Sequence, residues 1–208
     1  MLKTALTEDV KDYVKGLGAG LVGVADPERF HGAPPGHRPQ DILPGCRSVV
    51  VYAFPMLQST FVSPNPRVRV HRYWQLRSRL QDLGYDICRY LEEEKGFYAV
   101  NLPSTAPQEV NTQTRLLMGD FSFRHAAVMA GLGEIGLNQL LVTPQYGPRV
   151  WLQAVITPVV RPALERGAAD GRALFGSGGV AVAPLAAGAG IGKTPPQRPK
   201  PGGRPVPL

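Results

Sequence analysis

Ser48-Val-Val-Val-Tyr-Ala-Phe54 constrains the fold more than any other part of the chain. β-Branched and aromatic residues favour extended backbone. An unbroken apolar run leaves no polar face for water, so such a strand must be covered on both sides. The run predicts a central buried strand ended by Pro55. Leu21–Ala25, Phe97–Leu102 and Val150–Thr157 predict three more strands, the last closed by Pro158.

Helical patterns lie between them. Thr7–Leu17 reads as a helix capped by Thr7, with Glu8 and Asp9 in its first turn and Gly16 and Gly18 near its end. From Val70 to Lys95, Tyr73, Leu76, Leu80, Leu83, Ile87, Tyr90 and Leu91 recur at steps of three and four. Gly84 interrupts that helix, and Gly96 stops it. Phe123–Ala130 and Glu134–Leu140 predict two short helices. Residues 27–44, with at most one short turn, 55–70 and 103–120 read as loop. The expected class is α+β, an α/β sandwich-like fold with a central mixed sheet of short strands flanked by helices.

Charge divides the chain. Residues 1–160 carry 16 Lys/Arg and 14 Asp/Glu, whereas residues 161–208 carry 7 and 2. The second segment also holds 10 Gly and 8 Pro and a single aromatic, Phe175. Such a composition lacks the apolar surface that offsets ordering entropy. The expected division is a folded domain over 1–160 and a low-complexity tail over 161–208, with 161–175 a short helix and 176–208 disordered. No apolar run approaches the roughly 18 residues of a membrane span. The early acids Glu8 and Asp9 do not suit a signal peptide. A cytoplasmic protein with no membrane partner is expected. Two cysteines, Cys46 and Cys88, are too few for a disulfide framework or a four-thiolate site.

Gly131-Leu-Gly133-Glu-Ile-Gly136 matches the spacing of a dinucleotide-binding turn. That turn needs a strand before it and an acid about 20 residues after it. Here the preceding segment has helical composition, and the next acid after Glu134 is Glu165. The glycines read instead as a tight helix–helix connection, or as backbone opened to close approach by a large ligand.

The stretch from Gly119 through Asp-Phe-Ser-Phe-Arg-His-Ala-Ala-Val-Met-Ala-Gly-Leu-Gly-Glu-Ile-Gly-Leu-Asn-Gln-Leu-Leu-Val-Thr-Pro-Gln-Tyr-Gly-Pro to Arg149 resembles the cobalamin domain of the epoxyqueuosine reductase and reductive dehalogenase superfamily. Residues 19–30 and 35–51 resemble that family's opening strand, loop and second strand, and the likeness covers about residues 5–158. The resemblance implies a corrinoid-dependent reductase. In it, two [4Fe-4S] clusters of a following ferredoxin-like domain feed electrons to cobalamin, which attacks an epoxide of a tRNA nucleoside or a carbon–halogen bond. Carried onto this chain, it places Gly131, Leu132, Gly133 and Gly136, with Tyr146, Gly147 and Arg149, along the corrin. Arg149 would contact a propionamide or phosphate. Asp120, with His125 as the alternative, would donate the proton, although Asp120 does not sit in the epoxide enzymes' own acid motif.

Each of these residues also has a plainer reading. Asp120 suits a helix cap, His125 a packed histidine, and Arg149 a structural ion pair. His31, His37 and His71 lack the paired spacing of metal ligands. Tyr73 and Trp74, near Arg72 and Arg77, suit a ligand mouth, with a core position the alternative for Tyr73.

The chain departs from the family pattern after Thr157, where cluster-binding cysteines would follow. No cysteine follows Cys88. The expected protein is a truncated cobalamin-dependent reductase that binds a corrinoid and takes electrons from an external donor or iron–sulfur partner. The tail would be an out-of-frame or degenerate end, as a frameshift would give. The rival expectations are a non-catalytic corrinoid-binding or pseudogene-like fragment, and a basic RNA-associated protein. A tRNA partner follows only from the resemblance.

Overall fold

The computed structural model describes residues 2–104, 109–110 and 117–159. The expected helix over 161–175, the disordered tail over 176–208 and the division between them and the domain lie outside the described residues.

Helix α1 (Leu2–Gly16) leads into strand β1 (Leu21–Ala25), a 3₁₀ turn (Pro27–Phe30) and a short helix α2 (Pro39–Ile42). Strand β2 (Ser48–Pro55) is followed by α3 (Ser59–Val62) and the long α4 (Pro66–Arg89). Then come β3 (Val100–Asn101), β4 (Glu109–Val110), β5 (Leu117–Met118) and α5 (Phe123–Met129). Strands β6 (Glu134–Ile135), β7 (Leu141–Val142) and β8 (Val150–Thr157) complete the described order.

The main sheet has the order β1-β2-β8-β3. All three pairings are antiparallel, so the sheet is uniform where a mixture of parallel and antiparallel pairs was the expectation. Strand β2 is central, with Val50 opposite Val24 on one side and Val155 on the other. Its alternating residues serve two cores. Val49, Val51 and Ala53 join Ala154, Ile156 and the buried residues of α5 on one face. Val50, Tyr52 and Phe54 join Val10 and Val14 of α1 and Leu80, Leu83 and Ile87 of α4 on the other. The double burial expected of this run is therefore met by helices on both sides, in an α+β fold. Tyr52 donates its hydroxyl to the Leu80 carbonyl at 3.0 Å, tying the central strand to α4.

Local boundaries shift for physical reasons. Helix α1 begins at Leu2, so Thr7 is an interior residue, fully buried, and not the cap. The loop over 27–44 holds two short turns, not one. Helix α4 starts at Pro66, whose fixed φ suits the first helical position. Asn65 caps it by accepting from the Arg67 amide at 2.9 Å. Its C-terminal end widens into a π-helical turn, Tyr90–Glu94. Gly84 is where α4 crosses Asn101, whose side-chain amide fills the space a Cβ would need. The third strand shrinks to Val100–Asn101, with the Phe97 amide taken instead by the Leu91 carbonyl at 2.9 Å.

The expected helix over Glu134–Leu140 is a β-hairpin instead. Gly136 donates to the Leu140 carbonyl at 2.9 Å, and Leu140 donates to Asn138 Oδ1 at 3.1 Å. Gln139 takes a positive φ of 59°, so the chain reverses before a helical turn can form.

Candidate functional site

The candidate residues fall on α5 and the hairpin that follows it, against one face of the sheet. Helix α5 ends in a Schellman motif: Gly131 donates to the Val128 carbonyl at 3.0 Å and Leu132 to the Ala127 carbonyl at 2.9 Å. Gly131 has φ 76°, the left-handed conformation this stop requires. Leu132 turns into the core. The glycine motif thus follows a helix, the reverse of a dinucleotide turn, and connects it to a hairpin instead of a second helix.

Two of its glycines are used inside the hairpin. A Cβ on Gly133 would collide with the Val142 carbonyl. One on Gly136 would lie 3.0 Å from both Asn138 Oδ1 and Val142 Cγ2. These two positions let the hairpin close, and the space they leave is already filled by protein.

At the other end of α5, Ser122 occupies the N-cap position but makes no cap bond. Its hydroxyl is 2.6 Å from His125 Nδ1. That pairing leaves Nε2 as the imidazole nitrogen not engaged by Ser122. Asp120 does not cap the helix; its backbone carbonyl lies 3.3 Å from His37 Nδ1. Phe121 packs on Phe30 at 5.6 Å, so the segment before α5 is clamped to the 3₁₀ turn after β1. Arg29 of that turn donates to the Met129 carbonyl at 2.6 Å, holding the C-terminal end as well. The proton-donor candidates and the glycine turn therefore sit at opposite ends of a seven-residue helix, roughly 10 Å apart along its axis at 1.5 Å per residue.

Tyr146, Gly147 and Arg149 lie between the hairpin and β8. Thr143 and Gly147 exchange two backbone hydrogen bonds, of 3.0 and 2.8 Å, closing a tight turn. The Tyr146 hydroxyl lies 3.3 Å from where a Cβ on Gly20 would stand, over the entrance to β1. Arg149 is exposed, and its carbonyl accepts from the Met56 amide at 2.8 Å. Leu57, next along that segment, is exposed, as are Leu137 and Leu140 at the hairpin tip. Nothing lies within 4 Å of a Cβ built on Gly147.

Sequence reasoning missed His37 and Arg29, which lie far along the chain from Asp120 and α5, and did not single out Ser122, although its place three residues before His125 is a local signal. Tyr73 is half-buried and belongs to neither core cluster, its ring 4.6 Å from that of Trp151. Among the described residues no group of three or more His, Cys, Asp or Glu could hold a metal ion. No described helix is long and apolar enough to cross a membrane. Burial pushes the Cys46 and Cys88 thiols up to about 11, away from the thiolate a cluster needs.

This layered arrangement is the fold of the epoxyqueuosine-reducing and dehalogenating reductases. A selenomethionine-labelled epoxyqueuosine reductase matches with a TM-score of 0.50 and 21% identity, over 77% of this chain and 48% of that one. The catabolic reductive dehalogenase NpRdhA, in complex with 3-bromo-4-hydroxybenzoic acid, matches with a TM-score of 0.51 and 19% identity, over 74% of this chain and 22% of that one. The chain thus spans about half the length of the epoxyqueuosine reductase. No protein-family model and no curated protein matches it.

Proposed function

We propose that residues 1–160 form the corrinoid-binding part of a cobalamin-dependent reductase of the epoxyqueuosine-reductase-like type. Two observations support this reading: the resemblance carried by residues 119–149, and the shared fold. The observation that carries it is a set of exposed groups on the segments that lead into Arg149 and pair with it. A corrin is a broad, largely apolar ring with an amide rim. Exposed Leu57, Leu137 and Leu140, an unobstructed Gly147 and an exposed guanidinium suit such a group.

In this reading Arg149 bonds a propionamide or phosphate of the cofactor. Tyr146 and Gly147 shape the floor beside it, and Gly131–Gly136 holds the hairpin that carries Leu137 and Leu140. The chemistry such a group supplies when bound is reductive attack on an epoxide or a carbon–halogen bond. Two residues are candidate proton donors. His125 is one, its Nδ1 held 2.6 Å from the Ser122 hydroxyl. Asp120 is the second, its carboxylate free of hydrogen bonds and ion pairs among the described residues. Electrons reach the site from a donor outside these 208 residues, which hold only two cysteines. A tRNA partner rests on the resemblance.

The test has two stages. Cob(II)alamin mixed with the protein should take on a base-off absorption spectrum. Turnover with a strong chemical reductant then separates an enzyme from a non-catalytic corrinoid carrier. An unchanged cofactor spectrum overturns both.

A further inference from the structure

One concavity is unused by this account. Pro66, Arg67, Val70, His71 and Trp74, spaced at three and four along α4, line a cavity of about 390 Å³ on its outer side. Val70 and Trp74 are 55% and 51% exposed, so the cavity has an apolar, aromatic floor open to solvent. Its rim is cationic. The Arg77 guanidinium sits 5.2 Å from the Trp74 ring centroid, and Arg67 has no carboxylate partner among the described residues. From residue 42 to residue 81 the sequence contains six Arg and not one Asp or Glu. The small net charge of residues 1–160 conceals this concentration.

The cavity also has a definite place. Trp74 contacts Tyr73, and Tyr73 packs on Trp151, two residues beyond Arg149. The Met56–Arg149 hydrogen bond ties the start of the same connection to the same end of β8.

We propose that this groove binds a compact planar anion, an aromatic carboxylate or phosphate. The ring lies against Trp74 and Val70, and the anionic group is held by Arg67 and His71. Guanidinium groups match carboxylate and phosphate oxygens in pairs, and those charge-assisted bonds are stronger than neutral ones. An indole beneath the ring adds a stacked aromatic contact. A neutral ring forfeits the first contribution and an aliphatic anion the second. A second copy of the chain is a poor occupant, because its own basic face would meet this one. That the groove seats the substrate of the site beside Arg149 rests on the reading proposed above; the binding itself does not.

The test uses the full chain without cobalamin. Phenyl phosphate and benzoate are titrated while tryptophan fluorescence is read, Trp74 and Trp151 being the only two. Both should quench saturably, and benzyl alcohol and acetate should bind about tenfold more weakly or worse. Raising salt from about 50 to about 500 mM should weaken binding several-fold. Trp74→Phe should remove the signal and Trp151→Phe keep it. Arg67→Gln should weaken binding at least about fivefold with an unchanged circular dichroism spectrum. The proposal is overturned if benzyl alcohol binds as well as benzoate, if Arg67→Gln binds like the unmodified chain, or if no saturation is seen. Because the cob(II)alamin spectrum is measured separately, quenching without a spectral change sinks the corrinoid reading and leaves the groove. The reverse pattern sinks the groove alone.

Discussion

Gly23 on β1 lies directly beneath Ala130 at the end of α5: a Cβ there would stand 2.6 Å from the Ala130 carbonyl oxygen and 2.9 Å from its Cβ. The helix that carries the candidate site reaches the sheet only because this position has no side chain. Gly23→Ala should therefore lower stability by about 1–3 kcal/mol, the usual cost of overpacking. Gly23→Val should cost more. Urea unfolding midpoints check the order, and a Gly23→Ala variant as stable as the parent would show that α5 is free to move.

The hairpin is the second pressure point. Gly133→Ala sets a Cβ against the Val142 carbonyl, which as backbone cannot swing aside. Gly131→Ala puts a side chain at a left-handed φ, which costs about 1–2 kcal/mol. Gly133→Ala should be the more damaging, and Gly131→Asn the mildest of the three, since Asn tolerates that conformation best. Thermal unfolding of the three variants side by side decides it.

How much of this was legible beforehand varies with the kind of signal. Strands β1, β2 and β8 could be read because both faces are buried, which leaves an apolar run with few alternatives. Helix α4 could be read from its stripe but not its start, since Pro66 and Asn65 act through backbone geometry and not periodicity. The segment Glu134–Leu140 has helical composition, yet its fate is set by Gly133, which must meet Val142 across the turn. The partner in that contact lies outside the segment, where Gly136 and Asn138 are the local turn signal. His37 and Asp120, 83 residues apart, became a visible pair only once the chain had folded.

The end of α4 is held to α1 by electrostatics. Lys95 Nζ lies 2.7 Å from Asp9, Tyr90 donates to the same carboxylate at 2.9 Å, and Tyr13 stacks on Tyr90 at 3.8 Å. The Lys95 ammonium, then the Tyr90 hydroxyl, hold the Asp9 carboxyl below its ordinary 3.8. The folded state therefore binds that proton less tightly than the unfolded one. The stabilisation is complete above about pH 4 and fades as pH falls through the depressed folded value. Asp9→Asn should flatten the acid limb of the stability profile below pH 4 and leave the profile from pH 6 to 8 parallel to the parent's. An acid limb unchanged in Asp9→Asn would assign it to other carboxylates.

Cys46 and Cys88 should be inert in the native protein. With both thiols pushed up to about 11 by burial, little thiolate exists at pH 8. A thiol reagent at that pH should label neither quickly, and both on unfolding in urea. Rapid labelling of one native thiol would mean that the layer covering it opens.

The central claim concerns the surface beside Arg149, and a titration of cob(II)alamin with the protein, followed by absorption, addresses it most directly. The account predicts a saturable base-off spectrum, weakened at least about fivefold by Arg149→Gln in a variant that unfolds at the same urea concentration as the parent. A cofactor spectrum that stays unchanged at high protein concentration would contradict it.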